Sequence, residues 1–234
     1  MWGHEVLRAL NFNYYMAVHN GAAIFKMPSK QMIAKKYLDV KCLKHVDAIF
    51  NSYQTDYIIY TEKETGPLCY YRPNRMPVAL QNYLQARAEV FKEKWISLDS
   101  YEALPITEFP ALKYFGLKKE ADFIVQAFEQ LNLHAPLIKD PFNPDYFIIQ
   151  ATHNEVSKGH ALLQLKDLLK VPEGKVIAAG DDNNDATMLA NADIRIVMAN
   201  APEYLLEKAD VVAPPANLKG IIVGIKSAIA LLKK

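Results

Sequence analysis

Residues 176–190 read Val-Ile-Ala-Ala-Gly-Asp-Asp-Asn-Asn-Asp-Ala-Thr-Met-Leu-Ala. A short apolar run ends at Gly180, and Asp181, Asp182, Asn184 and Asp185 then crowd together. Three carboxylates that close repel one another unless a cation lies among them. Their oxygen chemistry suits a hard ion, magnesium in particular. The run Val176 to Ala179 does not alternate, which predicts a strand buried on both faces of a parallel sheet. Ligands of open α/β sheets bind beyond the carboxyl ends of the strands, which is where Asp181 falls. With a helix starting near Asn184, Asp185 lies about one turn from Asp181 and can support a metal directly or through water. Asn184 offers an amide to a phosphate or to a metal-bound water, and Gly180 lets the backbone turn tightly. Helix capping explains one or two of these residues, since Asp and Asn are good caps and acids favour a helix N-terminus. It does not explain all four.

Around this loop the chain reads as α/β. Upstream, Ser157 caps a helix carrying Leu162, Leu165, Leu168 and Leu169. Lys158 falls in the first turn of that helix, where the dipole disfavours a cation by several tenths of a kcal/mol. A lysine there makes sense if it reaches an anion, and Gly159 permits close backbone approach; a lone lysine extending into water is the plainer reading. Downstream, Ile194 to Met198 and Ala209 to Val212 read as strands. A last helix over about Leu218 to Leu232 sets Lys219, Lys226 and Lys233 on a solvated face opposite Ile221, Ile222, Ile225 and Ile229.

The first half has a different texture. Trp2 to Leu10 reads as a short helix, Tyr14 to Val18 as a strand, Asn20-Gly21 as a turn and Ala22 to Phe25 as a second strand. Ser29 is placed to cap a helix running through Tyr37. Ala48 to Tyr71 is rich in β-forming residues until Pro73 and Pro77. A helix over Val78 to Ala88 and a strand near Lys94 to Leu98 follow. Glu120 to Leu131 is an amphipathic helix with Phe123, Ile124, Ala127, Phe128 and Leu131 on one face, and Tyr146 to Ile149 is a strand. The organisation expected is a middle α+β block inserted into an α/β domain made from both ends.

Composition excludes several classes. The 234 residues hold 27 basic and 26 acidic side chains, a formal charge of +1, without a basic block that would suit nucleic acid. No apolar run reaches about 18 residues, and the N-terminus lacks a signal-peptide pattern, so a soluble cytoplasmic protein is expected. Cys42 and Cys69 lack metal-ligand spacing and fit free thiols in a reducing compartment, with a single disulfide as the alternative. No P-loop, dinucleotide fingerprint, zinc-protease or nucleophile-elbow pattern occurs. His19 and His153 read as structural and linker histidines. Cys69-Tyr70-Tyr71, Tyr57 and Tyr60 read as packing residues of strands.

Two stretches together carry a resemblance. Val156-Ser157-Lys158-Gly159-His160-Ala161-Leu162 followed by Gly180-Asp181-Asp182-Asn183-Asn184-Asp185-Ala186-Thr187-Met188-Leu189 resembles the haloacid dehalogenase (HAD) superfamily, specifically its Cof-type class IIB phosphatases. Val197-Met198-Ala199-Asn200-Ala201 and Asn20-Gly21-Ala22 are similar to further motifs of that family, with Ala199 where a glycine is usual. The resemblance implies a HAD-like Rossmannoid α/β core, N-terminally incomplete, from residues 1–26 and 153–234, and an inserted α+β class IIB cap over residues 27–152. It implies Mg2+ as cofactor, Asp181 as its ligand, and Asp185 as a supporting ligand or an acid paired with Lys158. Lys158 is then the catalytic cation that neutralises the phosphoryl group, and Asn184, with Asn20 and Gly21, lies on the phosphate and substrate side. The implied reaction is hydrolysis of a small phosphorylated metabolite, a sugar phosphate or similar, through a phospho-aspartate.

One family motif has no counterpart. The nucleophile of these enzymes sits in Asp-x-Asp-Gly-Thr, and no Asp-x-Asp occurs in the 234 residues. Two expectations follow. The chain is a truncated phosphatase, or it is a shortened relative kept as a non-catalytic binding or scaffold protein. On either, this chain alone lacks phosphatase activity, and the sheet edge left by a missing strand favours self-association.

Overall fold

The computed structural model describes residue 7, residues 12–63 and residues 66–233. The helix expected over Trp2 to Leu10 therefore lies outside the described residues, apart from Leu7. The chain divides into two compact units, Met1–Val156 and Ser157–Lys234.

The first unit opens with β1 (Tyr14–Val18), β2 (Ala23–Met27) and β3 (Gln31–Lys35), an antiparallel three-stranded sheet. β3 replaces the helix expected after Ser29. Lys30 takes a left-handed conformation with φ 56°, Ser29 Oγ donates to Lys26 O, and the chain turns straight back onto β2. Cross-strand pairing such as Ile24 with Ala34 outweighs the weak helical preference of this short segment. After β4 (Leu38–Asp39), residues 43–50 form helix α1 (Leu43–Phe50), so the β-rich stretch expected from Ala48 begins only at β5 (Ile58–Lys63). β6 (Gly66–Tyr71), α2 (Val78–Phe91) and β7 (Lys94–Ser97) follow, then β8 (Glu108–Phe109), β9 (Ala111–Leu117), α3 (Lys118–Gln130), β10 (Leu133–His134), β11 (Leu137–Lys139) and β12 (Tyr146–His153).

The main sheet of this unit runs β10-β12-β9-β5-β6-β7, with β11 also on β12. Pairing is antiparallel except for β6 with β7, which α2 joins as a parallel crossover. Strand alternation divides the core between the two faces. Ile59, Leu112, Tyr114 and Ile149 pack with Val46 and Phe50 of α1 and with Ile124 and Phe128 of α3. Ile58, Tyr60, Cys69, Phe115 and Ile148 face Leu80 and Leu84 of α2. Full burial of each such aliphatic or phenyl side chain contributes about 1.5–3 kcal/mol. Phe123, expected on the inner face of α3, is instead exposed, because the buried stripe is Ala121, Ile124 and Phe128. An ion network ties the residue after β6 to α1 and to the turn before β5: the Arg72 guanidinium donates to Asp56 at 2.6 and 2.8 Å and to Asp47 of α1 at 2.6 Å.

The second unit is α4 (Lys158–Leu168), β13 (Ile177–Gly180), α5 (Ala186–Ala190), β14 (Ile194–Met198), α6 (Glu203–Leu206), β15 (Val211–Ala213) and α7 (Gly220–Leu232). Its strands form a parallel sheet in the order β13-β14-β15. The parallel pairing is as expected. The burial of β13 is not: Ala178 is buried but Ile177 and Ala179 are only half-buried, and among the described residues β13 is an outer strand. Leu168 and Leu169 are exposed rather than core. The last helix also turns the other face inward. Gly220, Gly224 and Ala228 are its buried residues, while Ile221, Ile222, Ile225 and Ile229 are 37–53% exposed. The reason is close approach: a Cβ on Gly224 would lie 2.5 Å from Ile196 Cγ2 on β14, so a larger residue cannot sit there.

Candidate active site

Ser157 sets the first element of the site. Its backbone is extended (φ −156°) and its Oγ accepts from His160 N at 3.1 Å, capping α4 as expected. The cap places Lys158 at the first helical position. Gly159 then brings α4 against α5, its N–H donating to Thr187 Oγ1 at 3.1 Å. A Cβ on Gly159 would meet Thr187 O at 2.5 Å, which explains why a poor helix former stands there.

The acidic loop supplies the second element. β13 ends at Gly180, and Asp182, in extended conformation, caps a short turn over Asn183–Asp185 that leads into α5. Asp182 and Asp185 make a reciprocal capping box. Asp185 Oδ2 accepts from Asp181 N at 3.0 Å and from Asp182 N at 3.2 Å. Capping thus accounts for two of the four polar residues. Gly180 serves space rather than a tight turn, since a Cβ there would lie 2.4 Å from Asp185 Cβ.

Lys158 closes the arrangement. Its Nζ donates to Asp185 Oδ1 at 2.5 Å and to Asn184 Oδ1 at 3.2 Å. The cation disfavoured by its helix dipole is therefore matched by a carboxylate that is 5% exposed. Both oxygens of Asp185 are engaged, one by the lysine and one by two backbone amides. Asp185 is thereby the anchor of the loop and the partner of Lys158. Asp181, half-buried at the strand end, spends its own amide on that anchor, and its carboxylate is the group of the loop that could hold a cation. Among the described residues no three His, Cys, Asp or Glu side chains come together as a metal cluster. The donor chemistry fits a hard divalent ion, but the loop offers only part of a coordination shell.

The electrostatics agree with that crowding. Burial pushes the Asp182 carboxyl above its usual range, the Asn183 amide pulls it back, and the charges of Asp181 and Asp185 push it further up. Tyr204 of α6 was not legible in the sequence. Its Oη donates to Asn183 Oδ1 at 2.8 Å, and burial, then Asp182 and Asp185, raise its pKa. A tyrosine near the start of a four-residue helix carries no sequence signal for this contact. Thr187 is similar: it reads as part of a motif, and only the fold shows its hydroxyl holding α4.

The remaining expected residues lie in the first unit. Asn20 and Gly21 form the turn between β1 and β2, with Asn20 buried at φ 57°. His19 stacks edge-on with Tyr60 at 6.2 Å. His153 Nδ1 accepts from Glu155 N at 3.1 Å, and burial and then Lys36 lower its pKa, as suits a linker residue. Cys42 and Cys69 are free thiols, and burial, then Asp39 nearby, pushes the Cys42 thiol up to about 11, away from the thiolate form.

A lysine–carboxylate pair beside an acidic loop, at the carboxyl end of a parallel sheet, defines the class as an α/β protein. The chain belongs to the haloacid dehalogenase-like hydrolases, whose family pattern matches residues 2–225. It is 37% identical over 75 residues to the putative phosphatase YxeH of Bacillus subtilis (strain 168), a match spanning 32% of this chain and 28% of that protein. It is 21% identical over 219 residues to a putative phosphatase of Mycoplasma pneumoniae, covering 87% of this chain and 70% of the relative. The solved structure of the HAD subclass IIB sugar phosphatase BT4131 superposes with a TM-score of 0.72 at 17% identity, over 96% of this chain and 79% of that one. The fold is therefore the mixed α/β fold of the HAD type. Among the described residues no helix is long and apolar enough to cross a membrane.

Proposed function

We propose that this chain carries the lysine-and-acid half of a Mg2+-dependent phosphatase site for small phosphorylated metabolites, sugar phosphates or similar compounds, acting in the cytoplasm. The observation that carries the reading is the convergence of Lys158, Asn184 and Asp185 beside Asp181 at the end of β13. Lys158, held by Asp185, presents positive charge to a phosphoryl group, and the Asn184 amide can donate to a phosphate oxygen. Asp181 would hold Mg2+, which supplies charge neutralisation at the phosphoryl oxygens when bound. Asp185 keeps the loop and the lysine in place and does not itself need to touch the metal. Residues 1–26 with 153–234 act as the core in this reading, and residues 27–152 as the cap that selects substrate, with Asn20 and Gly21 on the substrate side. The names of a putative phosphatase and a sugar phosphatase among its relatives support this assignment.

No Asp-x-Asp occurs in these 234 residues, and in this reading they do not supply the phospho-aspartate nucleophile. That same observation favours a second reading, a non-catalytic binding or scaffold protein. Incubation of the purified chain with p-nitrophenyl phosphate and Mg2+ is expected to give no turnover; metal-dependent hydrolysis lost in Lys158→Ala would show that a nucleophile is present after all. Titration with Mn2+, read by paramagnetic broadening of the amides of residues 181–184, separates the readings. Weak binding abolished by Asp181→Asn supports the phosphatase half-site. Absence of any broadening favours the scaffold.

A further inference from the structure

A polar cavity lies wholly in the first unit, between α2 and the β6–β7 pair, with a volume of about 230 Å³. Its floor is Leu84 and Ala88. One wall is aromatic: Trp95 of β7 and Tyr71 of β6 meet edge to face, with centroids 5.2 Å apart and planes at 75°. The other wall is a row of amides, Gln81, Asn82 and Gln85, carried by successive turns of α2. Glu93 closes one end, placed there by Lys92, whose left-handed conformation ends α2.

The polar groups are held in defined directions. Glu93 Oε2 accepts from Trp95 Nε1 at 3.2 Å and from Tyr60 Oη at 3.3 Å, so the carboxylate is fixed against the aromatic wall. Gln81 Nε2 donates to Pro73 O at 3.0 Å and Met76 O at 2.9 Å, which uses both amide protons and leaves its oxygen as the acceptor for a ligand. Asn82 and Gln85 add donors and acceptors in pairs.

This chemistry selects a ligand class. None of the residues lining the cavity is basic, so nothing there holds a phosphate. The Arg87 guanidinium, stacked over Phe91 and Phe115, lies near enough for the Glu93 charge to act on it. Part of that carboxylate's field falls on the guanidinium, and a cationic ligand gains correspondingly less there. A neutral molecule with many hydroxyls fits: carboxylate and amides pair with hydroxyl groups, and the aromatic wall takes the C–H face of a ring. The volume suits one ring. We propose that the cavity between α2 and β6–β7 binds a single unphosphorylated monosaccharide or cyclic polyol. This site is independent of the chemistry proposed at Asp181 and Lys158.

The test is an NMR titration of the full chain with D-glucose, D-galactose and D-ribose, following the Trp95 indole N–H. Glucose 6-phosphate and tetramethylammonium serve as controls. At least one neutral sugar is expected to shift the resonance saturably, with affinity reduced at least tenfold in Glu93→Gln and in Asn82→Ala. Asn82 is exposed on the helix, so the second variant reports binding even if the first fails to fold. No response to any neutral sugar overturns the proposal. So does tighter binding of glucose 6-phosphate or tetramethylammonium at the same resonance, or wild-type affinity in Asn82→Ala.

Discussion

Asp185→Ala and Lys158→Ala remove opposite ends of one ion pair, and the geometry dictates that they differ in cost. Asp185 is buried and accepts three hydrogen bonds, one from Lys158 and two from the loop amides of Asp181 and Asp182. Its loss strands two backbone donors in a half-buried loop, at about 1 kcal/mol or more each, and removes a charge-assisted bond worth roughly 1.5–3 kcal/mol. Lys158 is then free to turn to water, because its side chain is one-third exposed, and that relief trims the sum. The net expectation is about 3–4 kcal/mol. In Lys158→Ala the carboxylate keeps both amide donors, and water can enter the space left by a one-third-exposed side chain. About 1–2 kcal/mol is therefore expected, rather than the larger cost of stripping the cation from a dry pair. Urea unfolding monitored on residues of Ser157–Lys234 measures both, since the two compact units need not unfold together. At a slope of about 1–3 kcal/mol per molar urea the two midpoints are readily resolved. Hydrogen exchange gives a local check: the amides of 181 and 182 should lose protection in Asp185→Ala and keep most of it in Lys158→Ala. Equal destabilisation, or unchanged protection in Asp185→Ala, would refute the assignment of Asp185 as the loop anchor.

In the first unit, Arg72→Ala should destabilise by about 3–5 kcal/mol, because Asp56 is fully buried and loses its cation; thermal unfolding measures this, and a loss under 1 kcal/mol would contradict it. Acid should weaken the second unit through Asp210, whose carboxyl is held below its usual range by the Arg195 side chain and then by the Arg195 amide. The folded state binds its proton less readily than the unfolded one. The stabilisation is therefore present above the unfolded value of about 3.9 and is lost as pH falls through the lower folded value. Asp210→Asn should flatten that part of the stability–pH curve, and an unchanged slope would count against the pairing. Tyr204→Phe should leave global stability within about 1 kcal/mol while speeding exchange around Asn183, because it deletes one exposed hydrogen bond. Sedimentation over a range of concentrations tests self-association through the outer β13 edge, and a monomer throughout would exclude it.

What the sequence disclosed follows the range of the forces involved. The Ser157 cap, Lys158 in the first turn of α4 and the acidic loop are local: each depends on neighbours within a few residues, and each stands where periodicity and capping chemistry put it. The strands Tyr14–Val18 and Ile194–Met198 were legible for the same reason. β3 was not, because its state is decided by pairing with β2 rather than by residues 29–37 themselves. Tyr204 was not, because Asn183 comes within reach only after β14 and α6 have packed.

The last helix shows how a hydrophobic pattern can mislead. Ile221, Ile222, Ile225 and Ile229 form an apolar stripe, and on burial energy alone it should face the sheet. The stripe that does so is Gly220, Gly224 and Ala228, spaced four apart. Small residues let the helix approach until Ile196 of β14 sits where a Gly224 side chain would be. The gain in packing is then made by the strand's isoleucine against the helix backbone rather than by the helix's own isoleucines. The same substitution of closeness for bulk operates at the site, where Gly159 brings α4 onto Thr187 and carries Lys158 within 2.5 Å of Asp185. A glycine that looks like a defect in a helix is, in both places, what sets the distance between two elements. Gly159→Ala should therefore disturb the Lys158–Asp185 contact without touching either charge. The added Cβ would press on the Thr187 backbone, two residues from Asp185, and so shift the anchor itself. The prediction is faster amide exchange at 181 and 182 than in the parent chain, at a cost beyond the gain in helix propensity that alanine brings. A Gly159→Ala chain more stable than the parent, with the loop amides still protected, would show that the close approach is incidental.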